Sequence, residues 1–261
     1  MKIKEIIAAI EAYAPPSLQE GYDNTGYQTG NPEEEATGAL LCVDVTEDTV
    51  REALEKGCNL IISHHPLLFR GVKCVIGRDR PERVLAEAIR RGITIYSSHT
   101  AMDSANGGVS WRMAASLGLV GVEVLVPSRA GADTGLGVVG DLPEAMPIAD
   151  FLPLVKEAFG CEVLRVSRFS ELQTVRRVAL CGGAAGEFLP EAIASGAQVY
   201  VTADCKLNQF LDHAGDIVLV DAGHFETEEC TKRIFFDVIT EKFPNFAVCY
   251  SETEKNPIIY L

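Results

Sequence analysis

Two adjacent histidines, His64 and His65, carry the clearest chemical signal in the sequence. They follow the largely apolar run 59–62, which predicts a buried strand of a parallel sheet, and Pro66 prevents that strand from continuing. Ligand sites in open α/β sheets form beyond the carboxyl ends of such strands. Because imidazole is a common metal ligand and general base, the pair predicts a metal or catalytic site. Two loop histidines satisfied by hydrogen bonds are the alternative interpretation.

Further histidines and carboxylates lie just beyond the ends of other predicted strands. Four positions separate His224 from Glu228, so the two share one face of a helix once that helix has begun. The full set of such groups is His64, His65, His99, Asp103, Asp204 and His224, with Glu226, Glu228 and Glu229 at the start of the last long helix.

This donor set restricts the metal. Nitrogen ligands with carboxylates, and without paired thiolates, favour Zn, Mn, Fe or Ni over an iron–sulfur centre. Three imidazoles and at least two carboxylates exceed the needs of one tetrahedral ion. Two ions about 3.5 to 4 Å apart, bridged by a carboxylate and activating water, account for the excess. The pattern therefore predicts two divalent metal ions per chain.

The elements that position these groups occur twice along the chain. In each copy, fifteen residues separate a cysteine near a strand end from the glycine that ends the next helix, and eight more lead to a site residue. Each copy is a βαβ unit, in which parallel strands and a right-handed crossover are expected. Matched polar groups favour duplication over a chance periodicity. The matched positions are Cys42, Gly57 and His65 in the first copy, and Cys181, Gly196 and Asp204 in the second.

The sequence therefore predicts an α/β fold of duplicated three-layer α/β units. Their sheets are expected to be mixed and largely parallel, with the metal site in the cleft between the units. The first copy is predicted at 1–125, joined by the C-terminal strands 244–261, and the second at 126–243. Segment 121–140 is predicted to be a glycine-rich linker. Its glycines match the dinucleotide fingerprint formally, but no helix follows them directly, so they do not predict nucleotide binding.

Composition excludes several functional classes. With 47% hydrophobic and 23% charged residues, the chain is typical of soluble globular proteins. Its net charge of −14 opposes binding to nucleic acid, and no apolar run approaches the roughly 20 residues that cross a membrane. Eight cysteines form no CxxC pair, and the first helix is amphipathic rather than a signal peptide. We therefore predict a cytoplasmic protein with reduced thiols.

One segment has a positive local charge in this otherwise acidic chain. It places four basic residues within eleven positions, and either a phosphate clamp or a solvated loop explains them. They are Arg70, Lys73, Arg78 and Arg80, with Asp79 as the single acid.

Three segments resemble those that mark the Nif-three-like family of dinuclear metal-centre proteins: Ser63–Phe69, Tyr96–Asp103 and Asp221–Glu228. The resemblance spans essentially the whole chain, and bacterial members are commonly named GTP cyclohydrolase I type 2 homologues. It implies bridging roles for the two ligand carboxylates, and it implies that His99 lies beside the centre without being a ligand. The implied metal ligands are His64, His65, Asp103, His224 and Glu228.

The resemblance also implies a hexameric ring with metal sites that face an internal cavity. The chain departs from the family at Asn208, where a histidine usually stands two residues after the lysine matched by Lys206. A segment that usually carries an arginine reads Gly-Val-Val-Gly at 137–140. The first departure removes a possible proton-transfer or substrate group, so it weakens the expectation of catalysis more than that of metal binding.

The leading functional hypothesis is a metal-dependent hydrolase that acts on a nucleotide or a phosphorylated small molecule. His99 is the candidate base or water-orienting group, and Lys206 is a candidate substrate clamp together with the basic segment. The alternative is a metal-binding, metal-trafficking or regulatory protein without turnover. Expected partners are a small molecule and other copies of the chain, but neither a membrane nor nucleic acid.

Overall fold

A computed structural model describes residues 1–131 and 133–261. The chain divides into two compact units, each with its own sheet. Within the described residues, every helix is too short or too polar to span a membrane. The first unit comprises Met1–Ala105 and Thr231–Lys255, and the second comprises Asn106–Cys230 and Asn256–Leu261.

The described chain forms ten α-helices, two short 3-10 helices and eleven strands. The α-helices are α1 Ile3–Tyr13, α2 Glu47–Glu55, α3 Arg80–Arg91, α4 Thr100–Ser104, α5 Val109–Ser116, α6 Ile148–Phe159, α7 Leu189–Ala194, α8 Leu207–Asp212, α9 His224–Glu228 and α10 Cys230–Lys242. The 3-10 helices are Pro16–Leu18 and Gly186–Phe188. The strands are β1 Gly26–Thr29, β2 Ala39–Cys42, β3 Leu60–Ser63, β4 Thr94–Ser97, β5 Val120–Ser128, β6 Gly131–Pro147, β7 Arg165–Val166, β8 Thr174–Ala184, β9 Val199–Ala203, β10 Val218–Asp221 and β11 Val248–Tyr250.

The sheet of the first unit has the strand order β1-β4-β3-β2-β11. Strands β2, β3, β4 and β11 run parallel, and β1 is antiparallel to β4. Every residue of β2, β3 and β4 is buried. Leu40, Ile61 and Ile95 lie in one core cluster, where each buried side chain contributes roughly 1.5–3 kcal/mol. The edge strand β1 lies in the polar, glycine-containing segment 22–30.

Local sequence signals fix the helices that connect these strands. Thr46 caps α2 by accepting the N–H of Thr49 at 3.2 Å, and Asp79 caps α3 by accepting the N–H of Glu82 at 3.0 Å. Gly92 ends α3 in the left-handed conformation with a φ of 67°. These caps determine where each crossover begins and ends, and hence which residues lie at the carboxyl ends of β2, β3 and β4.

A C-terminal segment completes the first unit. Strand β11 pairs with β2, and the buried carboxylate of Glu52 accepts hydrogen bonds at 2.6 Å from Ser251, at 2.8 Å from Glu252 and at 2.7 Å from Thr253. Glu254 then accepts the N–H groups of Val43 and Asp44, directly after β2. The expected joining of a C-terminal strand to the first copy is therefore seen in β11. A second terminal strand, which we expected at 257–261, is absent from the described chain.

The sheet of the second unit has the strand order β5-β6-β8-β9-β10-β7. Strands β8, β9 and β10 are parallel, whereas β6 is antiparallel to both β5 and β8, and β7 is antiparallel to β10. The predicted linker 121–140 is instead most of the β5–β6 hairpin. Gly135 is required there, because a Cβ atom at that position would lie 2.1 Å from the carbonyl oxygen of Val126. Glycines that permit close strand contact resembled linker residues in the sequence.

Both units contain the same strand arrangement, β1-β4-β3-β2 in the first and β7-β10-β9-β8 in the second. In each, three parallel strands follow one another in the chain, and a strand that precedes them pairs antiparallel at the edge. This shared topology is what duplication predicts. The α/β class with mixed sheets is confirmed.

The boundaries between the two units differ from the predicted domain boundaries at 125 and 243. The hairpin β5–β6 extends the second sheet, so the boundary falls at Ala105. Helix α10 belongs almost entirely to the first unit, where Phe236 stacks on Tyr250 with ring centroids 5.2 Å apart. The single long helix predicted from Glu226 is two helices, α9 and α10, separated at Glu229.

Candidate metal centre

The first unit places His64 and His65 at the carboxyl end of β3, as the sequence predicted. Their backbone N–H groups donate to the carbonyl oxygens of Cys42 at 3.1 Å and Val43 at 2.8 Å, which continues the β2–β3 ladder by two residues. His64 is fully buried, whereas His65 is partly exposed. Ladder pairing thus holds the backbone of both histidines before any metal binds.

Each imidazole of this cluster is oriented through its Nδ1 atom. The Nδ1 of His64 lies 3.2 Å from the carbonyl oxygen of Ser98, and that of His65 lies 3.2 Å from Oδ2 of Asp44. Because these oxygens only accept, Nδ1 carries the proton in the neutral ring and Nε2 keeps its lone pair. Metal-binding histidines in proteins are held in the same way.

His99 and Asp103 join the pair from the end of β4. Single ligand atoms of His64, His65 and His99 all lie within 4.8 Å of one another, which is close enough to hold one ion. The Nε2 of His64 lies 3.7 Å from Oδ1 of Asp103, which sits in α4, four residues after His99. By geometry alone His99 qualifies as a ligand of this cluster, in addition to the residues that the family resemblance assigns.

A buried carboxylate orients His99. Oδ1 of Asp23 accepts from Nδ1 of His99 at 2.8 Å, and Oδ2 accepts from the hydroxyl of Thr100 at 2.6 Å. Burial alone would raise the pKa of Asp23, but the hydrogen bonds from His99 and Thr100 hold it well below its usual range. Asp23 therefore remains an anion that fixes the tautomer of His99.

The second unit contributes a histidine–carboxylate cluster at the start of α9. Nδ1 of His224 lies 2.8 Å from Oδ2 of Asp204, and Nε2 lies 3.1 Å from Oε2 of Glu228. The Glu228 side chain is buried, and Asp204 adopts a positive φ of 53°, an uncommon conformation for a residue other than glycine. The expected pairing of His224 with Glu228 across one helical turn is thus present, and Asp204 orients the imidazole.

A glycine creates the space for Glu228. A Cβ atom at Gly183, which has a φ of 64°, would lie 2.1 Å from Oε1 of Glu228 and 3.3 Å from Nε2 of His224. Any larger residue would displace the carboxylate. Gly183 was not predicted from the sequence, although it lies two residues after the repeat cysteine Cys181, as Asp44 lies two residues after Cys42.

An ion pair fixes the two loops that carry this second cluster. Oδ2 of Asp221 accepts from the Arg165 guanidinium at 2.8 Å and from the N–H of Cys205 at 3.0 Å. Oδ1 of the same carboxylate accepts from the N–H of Gly223 at 3.2 Å. Because Cys205 follows Asp204 and Gly223 precedes His224, one carboxylate sets the positions of both site residues.

The expected substrate-clamp residues differ in their surroundings. Arg78 pairs with Glu82 at 2.6 Å, and Arg80 donates to the carbonyl oxygen of Val45 at 2.8 Å. Arg70 and Lys73 are exposed and make no ion pair within the described part of the chain. Lys206 is exposed directly before α8 in the second unit.

The two clusters fit divalent metal ions. Their donors are imidazole Nε2 atoms and carboxylate oxygens, the set that suits Zn, Mn, Fe or Ni. In each cluster a backbone or side-chain acceptor orients the imidazole, and Gly183 leaves room for a carboxylate that a Cβ atom would exclude. The fold and these clusters define a duplicated α/β protein with histidine–carboxylate sites of the metal-binding type.

Comparison with known families identifies this class more closely. The family model described as Duf34/NIF3 (NGG1p interacting factor 3) matches residues 1–257, and the chain belongs to this family. The resemblance seen in the three sequence segments is thereby confirmed.

Curated relatives match along most or all of the chain. One from Lactococcus lactis, named GTP cyclohydrolase 1 type 2 homolog, is 31% identical over 266 residues and covers 100% of this chain and 99% of its own length. A Nostoc protein of the same name is 34% identical, with 87% of each chain covered. A solved Bacillus cereus protein related to NIF3 has the same fold, with a TM-score of 0.94 at 24% identity over 100% of this chain and 99% of that one.

Proposed function

We propose that this chain binds two divalent metal ions and hydrolyses a nucleotide or a phosphorylated small molecule. The observation that carries the proposal is the orientation of the imidazoles. Each has its Nδ1 hydrogen-bonded to a fixed oxygen, so that the lone pair of the neutral ring is on Nε2, the atom that would bind a metal. The proposed ligands are His64, His65, Asp103, His224 and Glu228, with Asp103 and Glu228 as bridges.

When bound, two such ions supply a Lewis acid for a phosphoryl or carbonyl oxygen and make water acidic enough to act near neutral pH. The protein must then hold the substrate and accept a proton. His99 is the proposed proton acceptor, because buried Asp23 fixes its Nδ1–H and leaves Nε2 as the basic atom. This arrangement resembles the histidine–carboxylate pairs of other hydrolytic enzymes.

The names of the curated relatives support a nucleotide as substrate, since several are called GTP cyclohydrolase 1 type 2 homolog. Lys206 is a proposed contact for its negative charge, together with Arg70 and Lys73, which form no ion pair within the described residues. In this proposal six chains form a closed ring, as the family resemblance implies, and light scattering would test that number.

A screen of nucleotides and phosphorylated compounds with metal-loaded protein tests the proposal, with His99→Ala as the central variant. Loss of a general base typically slows the reaction by about 100- to 10,000-fold, while bound metal is retained. His213→Ala is the matched control, because that histidine pairs with Asp216 at 3.7 Å near the surface and belongs to neither cluster.

Two results would change the proposed function. Equal turnover by His99→Ala and His213→Ala would remove His99 from the mechanism. No turnover by the wild type on any compound, together with metal exchange into chelators within minutes, would favour metal binding or trafficking without catalysis. The exposed Asn208 in α8, where the family usually has a histidine, is the feature that favours this second function.

A further inference from the structure

Two aromatic side chains lie exposed beside His99. Tyr22 is 63% exposed and Phe69 is 47% exposed, although residues of this size normally bury most of their surface. Their rings meet edge to face with centroids 6.4 Å apart, and the Phe69 ring lies 6.0 Å from the His99 imidazole. An exposed aromatic pair at the edge of a histidine cluster is a surface on which a flat ligand can stack.

A hydrogen-bonded frame holds the loops that carry this pair. The amide of Asn24 donates to the carbonyl oxygen of Leu68 at 2.9 Å, and the N–H of Leu68 donates to Oε1 of Gln28 at 3.0 Å. Gln28 is only 7% exposed, and its amide also donates to the carbonyl oxygen of Asn24 at 2.9 Å. Because Phe69 follows Leu68 and Tyr22 lies two residues before Asn24, the frame restrains both rings in advance, which lowers the entropy cost of binding.

Positive charge follows the aromatic pair directly. Arg70 and Lys73 are exposed and form no ion pair within the described residues, whereas Arg78 is bound to Glu82. In a chain with a net charge of −14, these two basic residues, one and four positions after Phe69, attract an anion to this segment.

We propose that Tyr22 and Phe69 form a stacking subsite for a planar heteroaromatic ring, and that Arg70 and Lys73 bind the negatively charged group of the same ligand. The subsite places the ring beside His99. It rests on the proposed function and narrows it, because it selects ligands with a ring attached to an anionic group over sugar phosphates and other ring-free phosphates.

Calorimetric titration of metal-loaded full-length protein tests the subsite, with GMP, AMP, guanosine and ribose 5-phosphate as probes. Stacking on an aromatic side chain changes affinity by about 5- to 150-fold. We expect both nucleotides to bind more tightly than ribose 5-phosphate by a factor in this range. Phe69→Leu and Tyr22→Leu should reduce that preference without weakening ribose 5-phosphate binding.

Matched variants separate the ring from the charge. Arg70→Gln and Lys73→Gln should weaken the binding of GMP but leave the binding of guanosine unchanged. Phe243→Leu is the control for loss of an aromatic ring, since Phe243 follows the end of α10 and lies outside the subsite. The melting temperature should stay within a few degrees in the four subsite variants, because exposed substitutions are usually nearly neutral for stability.

Three results would overturn the subsite. One is equal affinity for GMP and ribose 5-phosphate in the wild type. Another is an unchanged ring preference in both Phe69→Leu and Tyr22→Leu. The third is a change of oligomeric state in these variants without a change in ring preference, which would identify the surface as a contact between copies. Metal content and turnover, measured in parallel, report separately on the proposed function.

Discussion

The two units contain the same strand arrangement but use different residues at matching positions. Each has a histidine followed four residues later by a carboxylate, His99 and Asp103 in the first unit and His224 and Glu228 in the second. Asp204 in the second unit takes the position that His65 has in the first. Where His65 offers a ligand atom, Asp204 instead accepts a hydrogen bond from Nδ1 of His224 at 2.8 Å.

A second position shows the same change of role. Asp44 orients His65 in the first unit, and the matching residue in the second is Gly183, which leaves space for Glu228. In both units, functional residues lie at the carboxyl ends of the parallel strands. A given position, however, holds a candidate metal ligand, a residue that orients a histidine, or a glycine that leaves room for a neighbouring side chain. The first unit supplies mainly imidazole and the second supplies proportionately more carboxylate.

The largest effect on metal binding should come from a substitution at Gly183, which removes the space that the second unit has at this position. Gly183→Ala puts a Cβ atom 2.1 Å from the Glu228 carboxylate, so we expect metal affinity to fall by about 100-fold. Gly196→Ala is the matched control, because Gly196 also has a positive φ, 78°, but has no atom within 4 Å of the added Cβ.

The control should lose only about 1–2 kcal/mol of stability through its left-handed backbone and should keep its metal. Metal titration monitored by calorimetry provides the measurement. If Gly183→Ala binds metal as tightly as Gly196→Ala, the space at Gly183 does not matter for the site.

A smaller effect is expected from the residues that orient the imidazoles. Asp44→Ala frees the His65 ring and Asp204→Ala frees the His224 ring, and loss of such a partner typically weakens metal binding by about 10- to 100-fold. Similar losses would show that the two units orient their histidines equally. Competition with a coloured chelator measures both, and Asp216→Ala, on the surface of the second unit, serves as the control.

The sequence predicted the strand ends well, because an apolar run followed by polar groups and proline is a local pattern. It also predicted that Asp204 and His65 occupy matching positions, since the spacing of the repeat is preserved. It did not predict that Asp23 orients His99 or that Asp44 orients His65, because these pairs are 76 and 21 residues apart along the chain. Such contacts depend on side-chain packing that a single sequence does not contain.

The errors have a similar origin. The hairpin β5–β6 was taken for a linker because its glycines serve close strand contact rather than turns. The boundary at 243 was misplaced because helix α10 packs in the first unit through contacts such as that of Phe236 with Tyr250. Both the hairpin and this boundary depend on contacts between residues far apart in the sequence, which a local sequence pattern does not reveal.

The smallest predicted effect concerns acid stability of the first unit, where Glu52 holds the C-terminal segment. Burial would raise the pKa of Glu52, but hydrogen bonds from Ser251 and the segment lower it to about 2. A depressed carboxyl pKa adds stability above the unfolded value of 4.5, and this stability is lost as pH falls toward 2.

Glu52→Gln should therefore cost on the order of 1–3 kcal/mol at pH 7 and much less near pH 2. Urea unfolding at the two pH values gives this difference. Glu55→Gln in the same helix is the control, since Glu55 is exposed. An equal cost of Glu52→Gln at both pH values would show that the charge of Glu52 does not hold the segment.

Metal stoichiometry is the decisive measurement for the proposed two-metal site. Elemental analysis of protein saturated with Zn or Mn and then desalted should give two ions per chain for the wild type. It should give none for Asp103→Ala and Glu228→Ala, because each carboxylate is proposed to bridge the pair. Glu229→Ala, at the exposed neighbour of Glu228, should keep both ions. One bound ion per chain in both Asp103→Ala and Glu228→Ala would contradict the bridging roles. A wild-type protein that retains no metal would contradict the proposed two-metal site.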